Sequence, residues 1–249
     1  MAQSLQHIRI LGVPILKARR ADAISAIERL VDAEAPVLVA YVNAHTLNFA
    51  HSDAAYRSLL QGASLVLNDG SGVGLAARMN GDAFPENLNG SDFNPLILEL
   101  AARRRWPVYF LGASPGVAEA AARRLQAQIP DLTVAGTRDG FFPRSDDVSV
   151  AQAIKGTGAE VLMVAMGNPL QEFWLRDHLA DTGASLGVGV GAFFDFSAEN
   201  VKRAPAWMNR AGIEWVFRLL QEPQRLWKRY VVGNPVFLVR VLRQRLTRR

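Results

Sequence analysis

Apolar residues in this chain gather into short runs separated by longer stretches in which they recur every three or four positions. The runs are IRILGV (8–13), VLVAYVN (37–43), ASLVLND (63–69), PVYFLG (107–112), LTVAG (132–136), AEVLMVAMG (159–167) and SLGVGVG (185–191). Their length and β-branched content mark them as strands, and their lack of polar alternation marks strands buried on both faces. Helix-length segments lie between most of them, among them 21–32, 45–61, 117–128 and 170–180. Strand and helix in this alternation predict an α/β fold, a mostly parallel sheet covered by helices on both faces.

Near Asn200 the pattern changes. Residues 202–249 form an aromatic, arginine-rich stretch that reads as two or three short amphipathic helices, with Pro205 suited to a helix start and Pro223 set to break or restart one. Residues 1–201 are therefore expected to be the core and 202–249 an appendage. Arg218, Arg225 and Arg229 are spaced seven and four apart and would share one face of a regular helix.

Charge sharpens that division. The net charge of +5 is the sum of +10 on the appendage, with twelve Lys/Arg against Glu214 and Glu222, and −5 on the body. A basic tail on an acidic body points to an anionic partner, either a membrane surface, a phosphate-bearing ligand or nucleic acid. With no cysteine there is no disulfide, no thiolate nucleophile and no cysteine-ligated metal, and His7, His45, His51 and His178 lack zinc-site spacing. No signal-peptide pattern opens the chain and no apolar run reaches the ~20 residues that span a bilayer, so a cytoplasmic protein is expected.

In parallel α/β sheets, ligands bind beyond the carboxyl ends of the strands. Four turns there carry polar chemistry. In YVNAHTLN, Asn43 ends a strand and His45 and Thr46 open a helix; the Asn43 amide and the Thr46 hydroxyl could meet a sugar or base, or could simply cap that helix. In LNDGSGVG, Asp69 ends a strand beside Gly70, Gly72 and Gly74, which suits a general base next to a diphosphate-sized glycine turn; an N-cap Asp in a tight turn is the alternative. FLGASPGVAE offers a helix N-terminus to phosphate, and past the next strand Arg138 and Asp139 stand at the same carboxyl edge, where they could equally form a surface ion pair. In VAMGNPLQEFWL, Asn168, Gln171 and Glu172 suit uracil or sugar hydroxyls, and suit the first turn of a helix as well. Beyond the last strand, Asp195 lies near Lys202 and Arg203, whereas Trp207, Trp215, Phe217 and Trp227 are typical packing residues.

Taken together, ND-G-GV, FLGASPGVAE, MGNPLQE, GVGAFFDF followed by VKRAPAWM, and IEWVFRLLQEPQRLWKRY resemble the WecG/TagA/CpsF glycosyltransferase family over nearly the whole chain. The resemblance implies a Rossmann-like catalytic core with a C-terminal appendage that docks on the inner face of the membrane and completes the active site. It further implies metal-independent, inverting transfer without a cofactor, from a UDP-sugar to an undecaprenyl-diphosphate-linked acceptor, in polysaccharide biosynthesis. Carried onto this sequence, Asp69 becomes the base, Asn43 and Gln171 contact donor or acceptor sugar, and Arg218, Arg225 and Lys228 meet the diphosphate. Leu170 stands where the family commonly has a basic residue, Asn168 where small residues are usual, and FFDF with Ser197-Ala198-Glu199 replaces a more typical Asp-x-x-x-Gly. Those departures leave N-acetylmannosamine, its uronate and glucose all open as the donor sugar, and the oligomeric state is open too.

Two other classes fit parts of the pattern. A nicotinamide-dependent oxidoreductase would explain the sheet and glycine turns, but GxGxxG and its distal acid are missing. A nucleic-acid-binding protein would explain the basic tail, yet no recognisable binding motif is present, so no nucleic-acid partner is expected.

Overall fold

The computed structural model describes residues 5–33, 36–200, 204–205, 208, 214–221 and 223–247. The chain opens with a hairpin of β1 (His7–Ile10) and β2 (Val13–Leu16), paired antiparallel in a two-stranded sheet of its own. Residues 8–13, expected as one strand of the main sheet, are thus divided by a tight turn. Leu11 and Gly12 both take positive φ there, the turn geometry that matches the twist of a hairpin.

The core then alternates as predicted: α1 (Arg20–Ala33), β3 (Val37–Val42), α2 (Ala44–Ser52), α3 (Ala54–Gly62), β4 (Leu65–Asn68), α4 (Ser71–Met79), α5 (Gly90–Arg104), β5 (Val108–Gly112) and α6 (Val117–Gln128). It continues through β6 (Val134–Arg138), α7 (Asp147–Lys155), β7 (Val161–Ala165), α8 (Leu170–His178), β8 (Leu186–Gly189) and α9 (Phe193–Ser197). The helix expected over 45–61 is two helices. Asp53 leaves the helical region (φ −116°, ψ 111°) and accepts from the Tyr56 amide at 2.8 Å, ending α2 and capping α3 at one residue.

The six strands from β3 to β8 form one parallel sheet in the order β4-β3-β8-β7-β5-β6. Side chains alternate across it, so each strand feeds two cores. Val37, Val39 and Tyr41 of β3, with Val161 and Met163 of β7, pack under α1, α5, α6 and α9. On the other face, Ala40 and Val42 meet α2, α3 and α4, while Leu162 and Val164 meet α7 and α8. The sequence pattern therefore held: strands apolar on both faces are strands covered on both faces.

The appendage resolves into α10 (Glu214–Gln221), α11 (Pro223–Trp227), a π-helical segment (Lys228–Val232) and α12 (Gly233–Thr247). The 201/202 boundary itself lies outside the described residues. α12 joins the core, with Phe237 (1% exposed) and Val241 (0%) completing the apolar cluster of α2, α3 and α4. Arg240 fastens it, donating through Nη1 to the Asn48 carbonyl (2.8 Å) and Oδ1 (3.0 Å) and through Nη2 to Ser52 Oγ (3.2 Å). Asn48 returns a bond from Nδ2 to the Gly233 carbonyl (2.7 Å), and Gln244 Oε1 accepts from the Leu11 amide (3.0 Å). The opposite side of α12 leaves Val236, Val239, Leu242 and Leu246 exposed. No described helix is long and apolar enough to cross a membrane.

Candidate active site

A cleft of about 800 Å³ opens where β3 and β4 end, walled on one side by α2, α4 and the 84–89 loop and on the other by the appendage. Asp69 sits on its floor. The amide of Asp69 donates to the Val42 carbonyl at 2.9 Å, extending the β3–β4 ladder one residue past the strand, so the sheet itself sets where the carboxylate stands. It is half-buried, lining the cleft rather than lost in packing.

The turn that follows Asp69 differs from the open glycine loop expected. Gly70 takes φ +93°, which a side chain would resist, and its amide donates to Asn87 Oδ1 at 3.1 Å. Gly72 and Gly74 already belong to α4, and a Cβ on Gly72 would touch Ala44 Cβ at 3.4 Å, so that glycine serves close packing of α4 on α2. The loop is tied down by Asn68 Nδ2, which donates to the Glu86 carbonyl at 3.0 Å, and by Glu86 Oε2, which accepts from the Arg20 amide at 3.0 Å.

Asn43 also lines the cleft, while its side chain caps α2: Oδ1 accepts from the amides of His45 (3.0 Å) and Thr46 (3.2 Å). Thr46 completes the capping box, its Oγ1 accepting from the Asn43 amide at 2.7 Å; it is 1% exposed and does not line the cleft. Beneath the floor, the Tyr41 hydroxyl donates to Asn94 Oδ1 at 2.7 Å. Burial, and then the negative charge of Asp69, push the Tyr41 hydroxyl well above its ordinary value, so it stays a neutral donor.

From the appendage come Trp215, Arg229, Tyr230, Asn234, Phe237 and Leu238. Trp215 and Tyr230 pack ring to ring with centroids 5.8 Å apart. Arg229 faces His45 across the cleft. Burial, and then the Arg229 charge, lower the His45 pKa, so the imidazole is neutral at pH 7.

The remaining expected site residues are dispersed. Arg138 ends β6, five strands from Asp69, or about 24 Å at the usual strand spacing, and lies over the Phe142 ring at 5.1 Å. The sheet order separates them, although both stand at carboxyl edges. Gln171 and Glu172 are 1% and 0% exposed, spent on a buried network and not facing the cleft. Gln171 Oε1 accepts from the amides of Gly167 and Gly191, each at 3.1 Å, holding the turns after β7 and β8 together. Gln171 Nε2 and Asn168 Nδ2 donate to Glu172 Oε1 at 2.7 and 2.6 Å, and Tyr56 Oη donates to Oε2 at 3.3 Å. A Cβ on Gly189 would come within 2.9 Å of Gln171 Nε2, so the strand end must be glycine for the network to close. Burial pushes the Glu172 carboxyl up to about 7 against those stabilising bonds.

Asp195 lies in α9, which packs on the opposite face of the sheet with α6, and is not among the cleft residues. Its expected neighbours Lys202 and Arg203 fall outside the described residues, as does Trp207. Arg218 and Arg225 lie on α10 and α11, but their side chains fall outside the description. Lys228 is exposed and sits over the Trp227 ring at 5.7 Å, leaving the cleft to Arg229. Both residues belong to the π-helical segment, and adjacent residues on any helix point in different directions. His45, Arg78, Asn87 and Tyr230 also line the cleft without having been singled out as binding residues. Arg229 alone carried a signal, its spacing from Arg225.

The chain resembles known proteins over most of its length. The chain is 27% identical over 241 residues to the N-acetylglucosaminyldiphosphoundecaprenol N-acetyl-beta-D-mannosaminyltransferase of Bacillus subtilis (strain 168), covering 96% of this chain and 93% of that protein. It is 31% identical over 194 residues to the protein of the same name from Bacillus spizizenii, covering 78% and 74% respectively. The model of the glycosyl transferase WecG/TagA/CpsF family matches residues 8–249, and with the match spanning hairpin, sheet and appendage alike, the chain belongs to that family.

Proposed function

We propose that the protein is an inverting glycosyltransferase that moves a sugar from a UDP-sugar to a polyprenyl-diphosphate-linked acceptor in cell-surface polysaccharide biosynthesis. The observation that carries the reading is the placement of a ladder-held carboxylate, Asp69, in the same cleft as the appendage's Arg229. The acceptor in the relatives' names, a diphosphoundecaprenol-linked N-acetylglucosamine, supports a lipid-linked substrate, and their donor sugar favours N-acetylmannosamine over its uronate or glucose.

In this reading the acceptor hydroxyl attacks the anomeric carbon as the bond to the donor phosphate breaks. The hydroxyl proton passes to Asp69, and the electron pair of the breaking bond goes to the departing nucleoside diphosphate. One displacement inverts the anomeric centre. Charge building on the leaving phosphate needs a fixed cation in a water-poor site, a role that suits Arg229 with Arg218 and Arg225. In this reading the arginines, and no metal ion, neutralise the departing diphosphate. Residues 1–201 then supply the base and 202–249 the second wall, so an active site exists only with the appendage closed.

The exposed Val236, Val239, Leu242 and Leu246 on α12, flanked by Arg243 and Arg245, suit peripheral attachment to an anionic leaflet, where each cation near the surface contributes about 1 kcal/mol. In this reading the protein attaches to the inner face of the cell membrane, within reach of a lipid-linked acceptor.

The test is transfer from UDP-ManNAc, UDP-GlcNAc and UDP-glucose to a short-chain prenyl-diphosphate-GlcNAc, with wild type and Asp69→Asn. Loss of a positioned base lowers turnover roughly 10²- to 10⁴-fold, with the far-ultraviolet dichroism spectrum unchanged. Near-wild-type turnover of the variant removes Asp69 from the mechanism, and no transfer from any of the donors removes the proposal.

A further inference from the structure

The cleft contains a second arginine, from the core. Arg78 stands in the last turn of α4, exposed, and lines the same cleft as Asp69. Among the described residues its guanidinium has no hydrogen-bond or ion-pair partner, unlike Lys17, Arg20 and Arg104 on the same body, which all meet carboxylates. From Ser71 to Arg78 the helix advances about 10 Å, and helical side chains lean back toward the N-terminus, so the guanidinium reaches toward the cleft floor from the far end of α4.

Apolar side chains share the cleft with Arg78. Leu75, one turn earlier on the same face, is 40% exposed, and Phe84 and Leu238 complete the rim. Leu238 belongs to α12, whose exposed Val239 and Leu242 follow directly. The cleft therefore gathers a carboxylate, an unpartnered cation and apolar side chains, one of them on the helix whose exposed stripe is proposed to meet lipid. A sugar linked through a diphosphate to a long prenyl chain offers a partner for each: reactive hydroxyl, charge and hydrocarbon.

We infer that Arg78 holds the diphosphate of the lipid-linked acceptor, with Leu75, Phe84 and Leu238 receiving the first prenyl units. The inference rests on the acceptor class proposed above and deepens it, because it separates two diphosphates. The donor's falls to the appendage arginines, and the acceptor's to the core.

Farnesyl diphosphate and UDP are the probes, titrated calorimetrically against wild type, Arg78→Gln and Arg78→Lys of the full chain, alongside acceptor and donor KM. Removing a charge-assisted hydrogen bond should weaken farnesyl diphosphate binding and raise acceptor KM by roughly tenfold or more, leaving UDP affinity, donor KM and the melting temperature in place. Arg78→Lys should recover part of the loss. Equal weakening of UDP and farnesyl diphosphate would assign Arg78 to the donor and overturn the inference. No weakening of either would reduce it to a solvated cation favoured by the C-terminal helix dipole. Should Arg78-dependent farnesyl diphosphate binding persist in a protein that transfers no sugar, the transferase reading fails and the diphosphate site stands.

Discussion

Replacing Glu172 by Gln should make the protein more resistant to heat at pH 8 and change little at pH 5. The carboxyl is 0% exposed and its pKa is about 7, against 4.5 for an ordinary glutamate. Between those values the folded protein keeps a proton that the unfolded chain has released. Folding is therefore favoured at the acid end of the window, and stability falls as pH rises through it. At about 1.36 kcal/mol for each pH unit separating the two values, the full penalty above pH 7 is about 3 kcal/mol. Glutamine removes that ionisation and keeps the contacts, since its oxygen can accept from Asn168 and Gln171 while its amide donates to the Tyr56 hydroxyl. Burial and the Glu172 charge push Tyr56 up, so it holds its proton across this range. For a chain of this size 1 kcal/mol moves the melting temperature by about 2–4 °C, so the difference between variant and wild type should widen by roughly 6–12 °C from pH 5 to pH 8. Differential scanning calorimetry of both proteins checks this, with all other titrations common to the pair. Parallel melting curves across the range would mean that Glu172 is not a buried acid, and the account of its network would fall.

Asn43→Ser should keep the cap on α2, hence the melting temperature, whereas Asn43→Ala should cost about 1 kcal/mol; if Ser also keeps full kcat/KM, Asn43 is a cap and no ligand contact. Glu at both Val239 and Leu242 leaves the buried face of α12 untouched and should reduce sedimentation with anionic vesicles at least tenfold, with unchanged dichroism. Unchanged vesicle binding would place the lipid-facing surface elsewhere. Prolonged dialysis against a chelator should leave sugar transfer intact, and activity lost and then restored by a divalent cation would refute metal-free transfer.

The candidate site was half legible. Asp69 stood out because a lone acid after a buried strand and before glycines has few other uses, and the cleft forms around it. Asn43 was legible as a helix cap, and it lines the cleft as well. Gln171 and Glu172 looked the same in sequence as exposed ligand-binding groups; only the approach of Tyr56 from α3, 116 positions away, shows that they are interior. Lys228 and Arg229 are neighbours of equal charge, and only the packing of the appendage against the cleft distinguishes them.

Fold class could be read from local pattern because burial on two faces imprints continuous apolar runs on a strand, whichever neighbours it acquires. The division of charge between body and tail is likewise a property of the chain alone. Strand order is different in kind. Parallel strands joined by crossovers have the same pattern whether they lie side by side or at opposite edges, so nothing in the residues set Arg138 far from Asp69 or brought α12 down on α2. Those placements come from long-range packing, in which Phe237 and Val241 fill the surface left by α2, α3 and α4, and it is that contact which makes a strand-end carboxylate into the floor of a closed cleft.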